Sequence, residues 1–147
     1  MTEPTRSMMI EIRRIGPGDA ALFDRVAADV FDLAVDRDRL MRYLAAPGHF
    51  MIVALAGGEI VGQCAAVIHR HPDKANELYI DEVGVAPAWW RRGIARAMLD
   101  AMIVLGREQG CKEAWVGTEH DNLAARRLYE SRGGTAPEPF VMYVFEL

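Results

Sequence analysis

Apolar and polar residues alternate from Ile10 to Arg14, which predicts an opening strand, Ile10 to Ile15, with one wet face. Gly16-Pro17-Gly18-Asp19 then turns the chain, and Asp19 is a natural cap for a helix starting at Ala20. That helix is expected to reach Leu33, because Phe23, Val26, Ala27 and Val30 fall on one helical stripe. Asp36-Arg37-Asp38 interrupts, and Leu40, Met41 and Leu44 mark a shorter second helix ending near Pro47-Gly48. Phe50 to Leu55 is continuously apolar, the pattern of a buried strand. Ala56-Gly57-Gly58-Glu59 makes a tight hairpin, and Ile60 to Ile68 returns, with Gly62 marking a bulge. His69 to Lys74 reads as an exposed loop. No carboxylate or cysteine completes a ligand set with His69 and His71, so no metal is expected.

The rest of the chain is organised around the next stretch. Leu78, Ile80, Val83 and Val85 predict a buried strand from Glu77, closed by Pro87. Ile94, Met98, Ala101 and Leu105 share one face of a following helix. Between them, Arg91-Arg92-Gly93-Ile94-Ala95 places backbone N–H groups and positive charge at a helix start, an anion site. Gly93 and Ala95 keep its wall low enough for a phosphate to approach. Gly106 and Gly110 flank the end of that helix, and Glu113 to Thr118 is the next strand. Asp121 or Asn122 caps a further helix in which Ala125, Leu128 and Tyr129 pack and which Gly133 stops. Phe140 to Phe145 is apolar on both faces and reads as a last, central strand.

Composition narrows the class. A chain of 147 residues is long enough for one real core, so a single domain at 9–147 behind a loose tail at 1–8 is expected. A net charge of −4 argues against a general nucleic-acid binder, whose affinity comes mostly from cationic phosphate contacts. No apolar run approaches the roughly 20 residues needed to span a bilayer, and the first residues carry no signal-peptide core. Cys64 and Cys111 sit at no metal-ligand spacing and read as reduced core thiols. The expectation is a cytoplasmic enzyme. Asp29, Asp32, Asp36 and Asp38 read either as a solvated face with helix caps or as a cation-binding rim.

Val83-x-Val85-x-Pro87-x-x-x-Arg91-Arg92-Gly93-Ile94-Ala95 resembles the acetyl-CoA signature of the GNAT superfamily of N-acyltransferases. That signature is written Gln/Arg-x-x-Gly-x-Gly/Ala, and Trp90 stands at its first position. A second GNAT pattern, Asn-x-x-Ala-x-x-x-Tyr-x-x-x-Gly, is met by Asn122, Ala125, Tyr129 and Gly133, with Gly134 where many members have Phe. The resemblance implies an α/β (α+β) fold. Its sheet would be mixed and mostly antiparallel, with six to seven strands and helices on both faces. It also implies acetyl-CoA as cofactor, held by Val83, Gly84, Val85, Arg91, Arg92, Gly93, Ile94, Ala95 and Arg96 together with Asn122, Ala125 and Tyr129. Asn122 would hydrogen-bond the cofactor, and Tyr129 would point at its sulfur.

Segments along nearly the whole chain further resemble the aminoglycoside 3-N-acetyltransferases of the gentamicin-resistance type. They include Asp29-Val30-Phe31-Asp32, His71-Pro72-Asp73-Lys74, Asp81 to Pro87, and Pro137 to Tyr143. The implied acceptor is a small polycationic amine, met by Asp32, Asp36, Asp81, Glu82, Glu119 and Glu138, on an enzyme that could form a homodimer. The amine must shed a proton, and Glu82 or Asp81 would take it. The two alternate in direction on a regular strand, and Glu82 is the favoured base. Two other readings stand beside this one: an acetyltransferase for a polyamine, peptide or protein amine, and a non-catalytic acyl-CoA-binding module.

Overall fold

A computed structural model describes residues 9–147; the tail expected at 1–8 lies outside the described residues. The chain divides into two compact units, the first ending at Gly117 and the second spanning Thr118–Leu147.

The first unit is built on one sheet. Its strands are β1 (Ile10–Arg14), β2 (His49–Ala56), β3 (Glu59–His69), β4 (Glu77–Val85) and β5 (Glu113–Val116), in that spatial order. Each neighbouring pair is antiparallel except β4 and β5, which are parallel. Two α-helices belong to this unit, α1 (Arg37–Ala45) and α2 (Ile94–Glu108). The fold is therefore the mixed, mostly antiparallel α/β architecture expected, with five strands among the described residues rather than six or seven.

α2 follows from its sequence. Ile94, Met98, Leu99, Met102 and Leu105 are all buried, and each such burial is worth about 1.5–3 kcal/mol relative to exposure. The helix lies close to the sheet because glycines permit it. A Cβ on Gly62 would sit 3.0 Å from Met98 Cε, and one on Gly106 would sit 2.9 Å from Leu78 Cδ2.

The helix expected from Ala20 to Leu33 does not form. A 3-10 segment covers Pro17–Asp24, started at Gly16, and irregular backbone follows. Asp19 is not its cap; it sits inside the first turn and accepts from Gly16 N–H at 2.7 Å. Beyond it, Val26 bridges Ile60 in parallel, and the amides of Ala27 and Ile60 bond Ile60 O and Arg25 O. Asp29 adopts φ 65°, which ends any helix there. The stripe is real but only in part deeply buried: Phe23, near the end of the 3-10 segment, and Val30 are in the core, and Val26 between them pairs with β3 rather than with a helical turn. This segment, rather than a helix, crosses the sheet at Gln63 and Gly84.

The expected bulge sits one residue earlier than Gly62. Ala54 opposes Gly62 and Leu55 opposes Ile60, which leaves Val61 as the extra residue. A second bulge interrupts β4.

The second unit contains α3 (Leu123–Ser131). Phe140 to Phe145, expected as a central strand, carries no regular structure. A strand needs a neighbouring backbone to pair with, and among the described residues its own unit holds one helix and no strand. No helix among the described residues is long and apolar enough to cross a membrane.

Candidate active site

The bulge in β4 lies among several ionisable side chains that perturb one another. Ala65 opposes Glu82 and Ala66 opposes Ile80, so Asp81 is the inserted residue. A bulge breaks the strict alternation of a strand, so the regular alternation expected of Asp81 and Glu82 does not apply here. The charges of both carboxylates are felt by the same tyrosine, Tyr43.

Burial first, and then the charges of Asp32 and Asp81, raise the Glu82 carboxyl above the ordinary range, against a hydrogen bond from Gln63. Burial also raises Asp81, opposed by a backbone hydrogen bond and the charge of His49. Tyr43 is pushed up to about 12 by burial, then by Asp81, Cys64 and Glu82. Its hydroxyl donates to Phe50 O at 3.1 Å, and its ring meets His49 edge-on at 5.6 Å. It is therefore a neutral anchor at working pH. Burial and the Asp81 charge likewise push Cys64 to about 12, which leaves an unreactive thiol. Cys64 and Cys111 are both buried and unpaired, as expected.

Gln63 is fully buried, and its amide nitrogen donates to Val30 O at 3.4 Å. Gly84 belongs to the same contact, because a Cβ there would meet Val30 O at 2.5 Å. Its place in the chain is thus set by packing against backbone. The β4–β5 ladder ends at Ile80 opposite Val116, so Asp81 to Val85 run on without β5 beside them. Val83 and Val85, half-buried, lie in this stretch. The Trp90 indole donates to Val85 O at 2.7 Å, giving the residue in place of Gln or Arg a structural bond.

The basic loop is as anticipated. Arg91 and Gly93 both take left-handed backbone, φ 61° and 76°, and Gly93 is the residue before α2. A helix start leaves its first amides without intrahelical acceptors, so those of Ile94, Ala95 and Arg96 are available to an anion. Arg91, Arg92 and Arg96 are exposed, with the Arg92 guanidinium 5.0 Å over the Trp89 ring. Ile94 is buried, so its side chain anchors the helix and only its backbone can serve a ligand.

Asp32 lies near enough to Glu82 to raise it, whereas Asp36 caps α1, accepting from Arg39 N–H at 2.8 Å. In the second unit, Asn122 caps α3 by accepting from Ala125 N–H at 3.1 Å, and Ala125 and Tyr129 are half-buried. Gly133 at φ 89° and the Gly134 N–H bonded to Tyr129 O close the helix. A Cβ on Gly134 would come within 2.9 Å of that oxygen, a reason for glycine there. Glu119 and Glu138 are exposed in the same unit.

Sequence reasoning missed Tyr43, His49 and Gln63. Gln63 left a signal, a lone amide within the apolar run Ile60 to Ile68. Tyr43 and His49 left none, because distant pairing brings them to the bulge. Sequence also missed that Glu77 completes a cluster with His69 and His71.

An aminoglycoside N(6′)-acetyltransferase type 1 from Stenotrophomonas maltophilia is 30% identical over 140 residues, 90% of each chain. Another of that name from Salmonella typhimurium is 25% identical over 96 residues, 62% of this chain, and the match spans 66% of that relative, just under two thirds. Both are named for the 6′ nitrogen, where the sequence resemblance pointed to the 3-N type. An aminoglycoside acetyltransferase from an uncultured soil sample, solved with sisomicin, superposes with a TM-score of 0.79 at 23% identity, over 94% of this chain and 96% of that one. The model of the acetyltransferase (GNAT) family matches residues 20–134, most of the chain. The chain belongs to the GNAT acetyltransferases.

Proposed function

We propose that this protein moves the acetyl group of acetyl-CoA to an amine of an aminoglycoside. The observation that carries the reading is the cluster of Glu82, Asp81 and Asp32 at the β4 bulge, beside a strand stretch that β5 leaves uncovered. A cationic amine is drawn to such a cluster. A carboxyl raised by burial is also a stronger base than an ordinary one.

In this reading the pantetheine arm lies along Val83 and Val85, and the pyrophosphate sits on the amides and arginines at the start of α2. The amine nitrogen attacks the thioester carbonyl carbon, and the C–S bond breaks as the new C–N bond forms. Glu82 takes the proton that the amine sheds. Backbone N–H groups near Val83 stabilise the oxyanion, and the leaving thiolate receives a proton, the role the family pattern gives to Tyr129. Lysine-like amines, with pKa about 10.4, are almost fully protonated at neutral pH and must lose that proton before attack. Asn122 assists cofactor binding through the amide group that its cap leaves over. Asp36, Glu119 and Glu138 contribute charge toward the acceptor.

The relatives' names support a 6′ amine as the acetylated position. A homodimer in the cytoplasm, where both unpaired thiols stay reduced, completes the proposal. The test is thiol release from acetyl-CoA against a panel of aminoglycosides, polyamines and peptides, with product regiochemistry by NMR. Turnover on aminoglycosides carries the reading. Turnover on peptides or polyamines alone reassigns the acceptor, and acetyl-CoA binding without turnover on any amine makes the chain a binding module.

A further inference from the structure

β3 ends at His69 and β4 begins at Glu77, and the ladder sets these two residues opposite one another. The turn between them folds His71 back to the same place. The ligand atoms of His69, His71 and Glu77 all lie within 4.8 Å of one another. The two imidazole centroids are 4.3 Å apart, and His71 Nε2 stands 3.4 Å from Glu77 Oε2. That nitrogen is buried and stands at ion-pair distance from the carboxylate, without a well-aligned hydrogen bond. A buried ring nitrogen near an anion without an aligned bond is an arrangement that a cation between them would satisfy.

We propose that His69, His71 and Glu77 form a binding site for a divalent transition metal, zinc above all, which clips the β3–β4 turn. Two imidazoles and one carboxylate are a borderline donor set suited to zinc, whereas calcium and magnesium take oxygen ligands. Bonds of about 2.0–2.1 Å to a tetrahedral ion place ligand atoms roughly 3.3 Å apart, so the cluster needs to contract by up to about 1.5 Å. The exposed His69 ring can rotate to supply that. Water takes the remaining position. Lys74 is the competitor: its Nζ lies 3.3 Å from Glu77 Oε1. An exposed lysine pair of this kind is readily given up. The site is separate from the acetyl-transfer chemistry. Glu82 faces Ala65, four residues along β3 from His69, or roughly 13 Å.

The experiment uses the full chain stripped with a chelator, titrated with zinc chloride by calorimetry and with cobalt(II) by visible absorption, alongside thermal melts. The expected result is one equivalent of zinc bound, a rise in melting temperature and an intense tetrahedral cobalt band. His71→Ala and Glu77→Gln should each abolish all three. Lys74→Ala should tighten zinc, while His120→Ala, in the second unit, should leave binding unchanged. Wild-type protein that shows neither saturable zinc binding nor the cobalt band overturns the proposal. So does zinc binding that persists in His71→Ala, which would place the ion elsewhere, for instance on the thiols.

Discussion

In the proposed reading, Glu82 gains basicity at the expense of stability. Its carboxyl is raised by burial and by the charges of Asp32 and Asp81, so the folded chain binds that proton more tightly than the unfolded chain does. The stability it contributes is therefore fully present below the ordinary carboxylate range and is lost as pH rises through the raised value. Glu82→Gln removes the ionised form at every pH. Its melting temperature should exceed the parent's at neutral pH, and the gain should vanish in acid. Activity should move the other way: losing a positioned base typically costs about 10²–10⁴-fold in kcat, and the deficit should shrink at alkaline pH as the amine deprotonates unaided. A variant with parent kcat removes Glu82 from the chemistry. Gly84 is a purely steric case beside it. An added methyl would meet the Val30 carbonyl at 2.5 Å, and backbone cannot rotate away as a flexible side chain can. Gly84→Ala should cost about 1–3 kcal/mol, read as a lower denaturant midpoint.

Among the elements, the β4–loop–α2 unit was the most legible from sequence. Each of its signals is local: apolar residues for the strand, Pro87 to end it, a glycine before the helix, and a stripe along α2. Left-handed backbone at Gly93 also makes a clean test of the anion site. Asparagine and aspartate tolerate φ 76° about equally and have nearly the same shape. Gly93→Asn should keep most of the affinity for acetyl-CoA, and Gly93→Asp should lose it. A like charge at ~4 Å costs about 1 kcal/mol in water and about 4 near a protein surface. Equal dissociation constants in calorimetry would show that no phosphate sits there. The element that failed was the first helix. Its spacing of Phe23, Val26, Ala27 and Val30 satisfies a helical period, yet Val26 pairs with Ile60 and Asp29 turns left-handed. A period states which residues turn inward; it does not state whether their backbone bonds itself or a neighbouring strand. Phe140 to Phe145 failed for a related reason, since apolarity on both faces says nothing about which backbone lies alongside.

Over the whole molecule, the net charge of −4 favours approach of a cationic acceptor. At 0.15 M ionic strength the screening length is about 8 Å, so added salt should weaken attraction between a polycationic acceptor and the Asp32–Asp81–Glu82 cluster. The KM for an aminoglycoside should rise steeply with salt while kcat holds. A KM insensitive to salt would mean that shape rather than charge selects the acceptor. What could not be read at this scale was the convergence itself. Tyr43 from α1, Gln63 from β3 and Glu82 from β4 interact through pairings between residues as far apart in sequence as 39 positions, Tyr43 to Glu82. No local window contains such a set.

The inserted Asp81 also makes a forecast about deletions. Removing it would leave Ile80 opposite Ala66 and Glu82 opposite Ala65, two consecutive rungs of an uninterrupted ladder. The shortened chain should therefore fold, with a melting temperature at or above the parent's. A straightened β4 would lose the added twist of a bulge, and β5 could continue its pairing past Val116. Slower amide exchange at Val116 and Gly117, together with lost acetyl-CoA binding, would mark an enzyme zipped shut by one missing residue. On this view the extra residue is neutral for folding and decisive for access, so a lineage could silence the enzyme by a single-codon loss without making an unstable protein.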